Sequence, residues 1–163
     1  MIVEIGHLSL IGALVISFLV GFSPLCRIIT KNNFFYRITG PLNNLVFLLI
    51  FFSFVSLIYS FLNDDFSVAY IANNSNTLLP IYYKLAATWG AHEGSLILWI
   101  FCLSVWATSY LFFNRNKDEE FVALTLAVLN QIVFAFIAFT LFTSNPFERL
   151  LPIVPIQGSD LNP

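Results

Sequence analysis

Charge is what this chain has least of. Only 10% of its 163 residues are Asp, Glu, Lys or Arg, where a chain that keeps itself in water carries about a quarter. With 58% hydrophobic residues and a mean hydropathy of +0.84, that shortfall excludes an ordinary soluble domain and describes an integral membrane protein. The net charge of −2 is too small to argue for nucleic acid or an acidic partner. Cysteine is equally scarce. Cys26 and Cys102 stand far apart and form no C-x-x-C, which points away from a redox pair or a zinc site and reads them as small buried hydrophobes. The N-terminus lacks the basic region and small-residue cleavage site of a secretory signal, since Glu4 and His7 precede the first apolar run, so that run is expected to be retained. No internal repeat or low-complexity tract is visible beyond a general bias toward phenylalanine.

What is there is apolar length. Stretches over about 8–25, 42–62, 95–113 and 121–142 are each long enough to cross a hydrocarbon core of about 30 Å as a helix. The fold class expected is an all-α integral membrane protein with four transmembrane helices in a single membrane domain spanning 1–163. Pro24 is expected to end the first span and Gly40-Pro41 to open the second, with Asn43 and Asn44 at its headgroup end. Asn130 and Gln131 lie near the middle of the fourth, where an amide facing lipid is costly, so they are expected to face another helix and bond there. Asp118, Glu119 and Glu120 suit that helix's N-terminus. Arg27, Lys31, Arg37, Arg115 and Lys117 fall on one side of the resulting topology and Lys84 and Arg149 on the other. The excess of basic residues marks the cytoplasmic side and puts both termini outside.

The long connection between the second and third spans carries a period-two stretch, Phe66-Ser67-Val68-Ala69-Tyr70, read as a short extended segment. After it, Pro80 opens a helix with Ile81, Leu85, Thr88 and His92 at helical spacing. That helix is read as interfacial, with Tyr82, Tyr83 and Trp89 at headgroup depth. The final stretch, rich in proline from Pro146 to Pro163, is read as an irregular outer segment.

One run concentrates the chemistry: Trp89-Gly90-Ala91-His92-Glu93-Gly94-Ser95-Leu96-Ile97-Leu98-Trp99, where a polar loop becomes an apolar span. Glu93 at the mouth of a helix is favoured by unpaired amides, by about 0.3 to 1 kcal/mol. Gly94 and Ser95 let another group approach the backbone closely, and Trp89 and Trp99 add flat apolar faces. Trp89, His92 and Leu96 share one face if the helix is continuous. An imidazole beside an indole at a membrane surface suits a haem axial ligand, a donor to haem propionates, or a satisfied interfacial histidine. Residue types alone leave these open. Lys84 and Arg149 suit either pairing with anionic groups such as propionates or anchoring in the headgroup layer.

The stretch from Ala86 to Trp99 resembles the WGxHEGS signature of the CcmF/CycK/NrfE family, the haem lyases of cytochrome c-type biogenesis. Glu4-Ile5-Gly6-His7, Asp65 to Tyr70 followed by Ser75-Asn76, Leu79-Pro80, and Leu141 to Phe147 through Asp160-Leu161-Asn162-Pro163 resemble the same family in the same order. The resemblance implies a multi-span protein of the bacterial, or organelle-encoded mitochondrial, inner membrane. Such a protein receives haem from a periplasmic haem chaperone and positions it for attachment to apocytochrome c, alongside thiol-reducing factors. It implies only the N-terminal part of such a lyase. Family members continue past the position of Pro163 into further spans that carry the haem-ligating histidines, so His7 and His92 are not assigned as ligands and no metal site is expected within the chain. Trp89, Gly90, His92, Glu93, Gly94, Ser95 and Trp99 are then the candidate rim of a haem-handling surface, with the remaining part of the lyase and membrane lipid as partners and no nucleic acid. By itself the chain is not expected to be a complete catalyst. The competing readings are a small structural subunit of a transporter or respiratory complex, and a truncated, non-functional remnant.

Overall fold

In the computed structural model, which describes residues 1–150 and 154–159, the chain is helical almost throughout. Pro152 and the Asp160-Leu161-Asn162-Pro163 stretch lie outside the described residues. Four long helices, α1 (Ile2–Thr30), α2 (Phe34–Leu62), α5 (His92–Phe113) and α6 (Glu119–Thr143), are each long and apolar enough to cross a membrane. Two short ones, α3 (Ala69–Asn74) and α4 (Ile81–Gly90), lie in the connection between α2 and α5. α2 and α6 each touch the other three long helices, while α1 and α5 occupy the far corners. The short turns between α1 and α2 and between α5 and α6 form one end of the bundle. The N-terminus, α3, α4 and the stretch after α6 form the other, called the motif end below.

The outward faces are large and apolar, including Phe18, Phe52, Trp106 and Phe139, whereas the faces turned inward are narrow and carry many small polar residues, among them Ser17, Ser53, Ser56, Ser104 and Thr140. A helix apolar all round belongs in lipid, and close helix contact there is made by small residues and interhelical hydrogen bonds rather than by hydrophobic exclusion. Gly6 shows this. A Cβ added there would lie 2.6 Å from Ser56 Oγ, and that hydroxyl donates to the carbonyl of Ile2 at 2.5 Å.

Both prolines expected to bound helices lie inside them. α1 runs on past Pro24 to Thr30. Proline deprives the carbonyl four residues back of its amide donor, and here Ser23 Oγ donates to that carbonyl, Val20, at 2.8 Å, which restores the bond from a side chain. α1 ends instead where Lys31 turns left-handed, φ 56°, with its amide on the Arg27 carbonyl at 2.8 Å. α2 begins at Phe34, seven residues before Pro41.

Asn43 is not at a solvated helix end. It is buried, donates to Thr108 Oγ1 at 3.3 Å and accepts from Asn130 Nδ2 at 2.8 Å. Asn130 thus meets the interhelical partner expected for it, while Gln131 packs its amide against Gly21 of α1. Asp118 caps α6 by accepting from the Glu120 amide at 3.4 Å. Neither cysteine is buried: Cys26 is partly covered and Cys102 exposed, because lipid, not a protein core, is the apolar phase that surrounds them. The period-two stretch is extended only around Val68, which forms a single antiparallel bridge with Arg149, and Ala69 already begins α3.

Candidate functional site

The central run does not continue one helix into the next. α4 ends at Gly90, Ala91 is extended (φ −116°, ψ 178°), and α5 begins at His92. The single face on which Trp89, His92 and Leu96 would fall together therefore does not exist. Such a break leaves carbonyls without donors at the end of α4 and amides without acceptors at the start of α5, and Ala91 has no side chain to cap them. Tyr70 of α3 does both jobs. Its hydroxyl hydrogen is shared between the carbonyls of Ala87 (3.0 Å) and Thr88 (3.1 Å), and the amides of Ala91 and Gly94 face its oxygen. Burial, with Glu93 adding to it, pushes the Tyr70 phenol from its ordinary 10.0 up to about 12, so it stays a neutral hydrogen-bond donor. Its ring packs edge-on against Phe61 at 5.1 Å.

Gly94 is the point of closest approach. A Cβ there would lie 1.8 Å from the Thr88 carbonyl oxygen and 2.4 Å from Tyr70 Oη, so no other residue fits the elbow. The group expected to approach this glycine comes from the chain itself. Gly90, by contrast, has open space around it, and no local contact explains it.

Two cations in ion pairs fix the elements around the elbow. Lys84 of α4 is buried and binds both carboxylate oxygens of Asp64, at 2.7 and 2.5 Å. Asp64 follows α2 in the left-handed region (φ 53°), a conformation Asp and Asn adopt more readily than most residues. Arg149 reaches Glu4 of α1, Ser67 and, at 3.6 Å, Asp65. Around it the Ala69 amide donates to the Glu148 carbonyl and the Leu150 amide to the Ser67 carbonyl, both at 2.9 Å. The described residues after α6 are irregular, as expected, but they are held as a strap across the motif end, and the Ser159 amide adds to it by donating to the Ala72 carbonyl at 2.7 Å. Both cations are thus paired within the chain rather than left free for a propionate.

What the elbow exposes is a short surface. Trp89, Gly90, His92 and Trp99 are exposed, while Glu93 and Ser95 are half-buried, and Ser95 Oγ donates to the His92 carbonyl at 2.9 Å. The His92 ring meets Phe139 of α6 edge-on at 6.3 Å. Seven residues make nearly two whole helical turns, so His92, Trp99, Trp106 and Phe113 form one stripe down α5, and Trp106 and Phe113 are 73% and 80% exposed. The candidate rim residues His92 and Trp99 are only the upper half of this stripe, although the seven-residue spacing marks all of it. His7 lies elsewhere, stacked on Phe147 at 6.1 Å and 3.5 Å from Asn145 Nδ2. Among the described residues no three His, Cys, Asp or Glu side chains gather as a metal-binding group would. For a haem, the described residues of the motif end offer flat indole faces and one exposed imidazole, while the two cations there, Lys84 and Arg149, are already paired with carboxylates. Flat indoles and an imidazole are side chains of the kind that contact a porphyrin, and among the described residues no cluster of metal-binding side chains stands beside them.

No family model matches the chain. It is 42% identical over all 163 residues to the cytochrome c-type biogenesis protein CcmF of Haemophilus influenzae and 45% identical, again over its whole length, to that of Pseudomonas aeruginosa. To the cytochrome c-type biogenesis protein NrfE of H. influenzae it is 42% identical. Among solved structures it is similar to the cytochrome c haem lyase CcmF, with a TM-score of 0.80 and 30% identity over 91% of this chain and 25% of that one. The chain spans 25% of the length of either CcmF relative. Sequence and fold together place it in the CcmF/NrfE/CycK family of cytochrome c-type biogenesis proteins, as a match to their N-terminal part.

Proposed function

We propose that this chain is a membrane-embedded part of a cytochrome c haem lyase, and that its elbow forms the rim of the haem-handling surface. The observation that carries this reading is the elbow itself. Three elements, α3, α4 and α5, converge on Tyr70 and Gly94 only to present Trp89, His92 and Trp99 outward. Haem supplies the vinyl groups to which the thiols of an apocytochrome c CxxCH segment attach. The part of this chain is to offer indole faces and an imidazole beside it, while the axial ligands come from the remaining part of the lyase. A periplasmic haem chaperone delivers the haem, and thiol-reducing factors keep the apocytochrome cysteines competent.

The motif end faces the outside of the bacterial inner membrane, or its mitochondrial equivalent. Supporting this, Arg27, Lys31, Arg37, Arg115 and Lys117 belong to the opposite end, and the two cations at the motif end, Lys84 and Arg149, are neutralised by carboxylates. The rest of the lyase packs on α5. Only 22% of its membrane-crossing stretch is buried, against 33% to 39% for the other three long helices, and its exposed stripe begins at the rim.

In the assembled system, His92→Ala is expected to lower the yield of holocytochrome c while the haem absorbance of the purified lyase stays intact. Disappearance of that absorbance would make His92 a ligand and sink the rim assignment. Reporter fusions after Ser75 are expected to report the periplasm; a cytoplasmic signal would reverse the orientation. Co-purification with respiratory subunits and no haem chaperone would favour the structural-subunit reading.

A further inference from the structure

We propose that the end of the bundle opposite the motif holds an anionic phospholipid, its headgroup in a cleft between α2, α5 and α6 and one acyl chain in the groove between α2 and α5. The cleft has a volume of about 340 Å³, with Arg37, Arg115, Lys117 and Glu119 among its lining and Leu111, Val122 and Leu126 as apolar floor. A second cavity of about 220 Å³ shares Asn44, Leu111 and Arg115 with it and continues along Phe47, Leu48, Thr108 and Phe112. Asn44 to Leu48 is one turn of α2, so the groove leads from the cationic mouth toward the middle of the membrane.

The charge balance favours an anion. Asp118 is engaged as the cap of α6, and Glu120 accepts from the Tyr36 hydroxyl at 3.3 Å. Glu119 approaches Arg37 only to 3.9 Å. Arg115 lies over the Phe112 ring at 4.8 Å, and Lys117 makes no ion pair among the described residues. Three cations therefore line the cleft against one carboxylate. Basic pockets between membrane helices at this depth suit lipid phosphates. A free phosphate would use the cations equally well but has nothing to place among Phe47, Leu48 and Phe112, whereas a phospholipid fills both compartments.

The test uses the purified full chain in neutral detergent, titrated with phosphatidylglycerol, with phosphatidylcholine of the same chains, and with inorganic phosphate, bound lipid being counted by native mass spectrometry. Phosphatidylglycerol should bind saturably, with the other two weaker by about tenfold or more. The double variant R115Q/K117Q should weaken it roughly thirtyfold, at about fivefold per cation. Lys31→Gln, outside the cleft, should leave it unchanged. Leu48→Trp, which fills the groove and keeps every cation, should weaken it too. Equal binding of phosphatidylcholine, or an unaffected R115Q/K117Q variant, overturns the proposal, and inorganic phosphate competing as well as the lipid would make the cleft a free-phosphate site. Should the double variant not fold, wild-type affinity for phosphatidylglycerol at rising ionic strength replaces it: a fall supports the site, and no change overturns it.

Discussion

At the motif end, Lys84 closes on Asp64, and Arg149 on Glu4 and Asp65, so that every cation is consumed in holding α1, α2, α4 and the strap together. At the opposite end, Arg115 and Lys117 form no ion pair among the described residues and Arg37 has one loose partner. The two ends carry similar residues put to different uses. A buried cation needs its carboxylate, because an uncompensated charge away from water is costly; an exposed one at headgroup level does not, and stays available. Ion pairs at the motif end are therefore structural, whereas charge at the other end is open to a ligand.

The difference can be broken by mutation. The largest effect is expected at the elbow. Gly94→Ala places a methyl group 1.8 Å from the Thr88 carbonyl, which forces α4 and α5 apart at a cost of about 3 kcal/mol. Thermal unfolding of the detergent-solubilised chain should show this as a large drop in midpoint, and an unchanged midpoint would mean that the elbow is not closed. Next comes Asp64→Asn, chosen because asparagine tolerates the same left-handed backbone. It leaves Lys84 buried without a counter-ion and is expected to cost about 2 to 3 kcal/mol, with part recovered in the double variant D64N/K84M. If the double variant is no better than the single, the ion pair is not the cause.

Tyr70→Phe is expected to cost about 1 to 2 kcal/mol, since it strips the amides and carbonyls of the elbow of their shared partner. It has a pH signature as well. The folded state raises the Tyr70 phenol from 10.0 to about 12, so the stability it contributes is complete below the unfolded value and is lost as pH rises through the folded one. Wild type should weaken between about pH 10 and pH 12 more than Tyr70→Phe does, and ultraviolet titration should show one late tyrosinate that the variant lacks. The smallest effect belongs to the other end. Arg37 and Glu119 are both largely exposed, and Arg37→Gln should change stability by about 0.5 kcal/mol or less. A loss comparable to that of Asp64→Asn would erase the contrast between the ends.

The four membrane rods were legible because lipid asks only for apolar length, a local property of the sequence. The elbow was legible as a place but not as a shape. Ile81, Leu85, Thr88 and His92 keep helical spacing straight through Gly90, the one local sign of a break beside Ala91; the group that satisfies the broken ends is the Tyr70 hydroxyl, 18 positions before Thr88 in the chain. Asn43 was misjudged for a similar reason, since its partner Asn130 stands 87 residues away. Pro24 reads as a stop in the sequence because the compensating bond from the Ser23 hydroxyl to the Val20 carbonyl is visible only in three dimensions. For Lys84 and Arg149 the sequence leaves propionate pairing and headgroup anchoring both open, because a counter-ion chosen by the fold, here Asp64 or Glu4, leaves no trace in local composition. At the candidate rim, the identities of Trp89, His92 and Trp99 were readable, whereas the structural duty of Gly94 needed the three-dimensional contact.

The strap carries a consequence for biosynthesis. Glu4 meets Arg149 across 145 positions of chain, so while a ribosome is still making the later helices, the first one stands in the bilayer with its carboxylate unanswered except by the terminal amine. The motif end can only latch once translation has passed Leu150, and a nascent chain released before that point would present an unfastened top to the membrane's quality-control proteases.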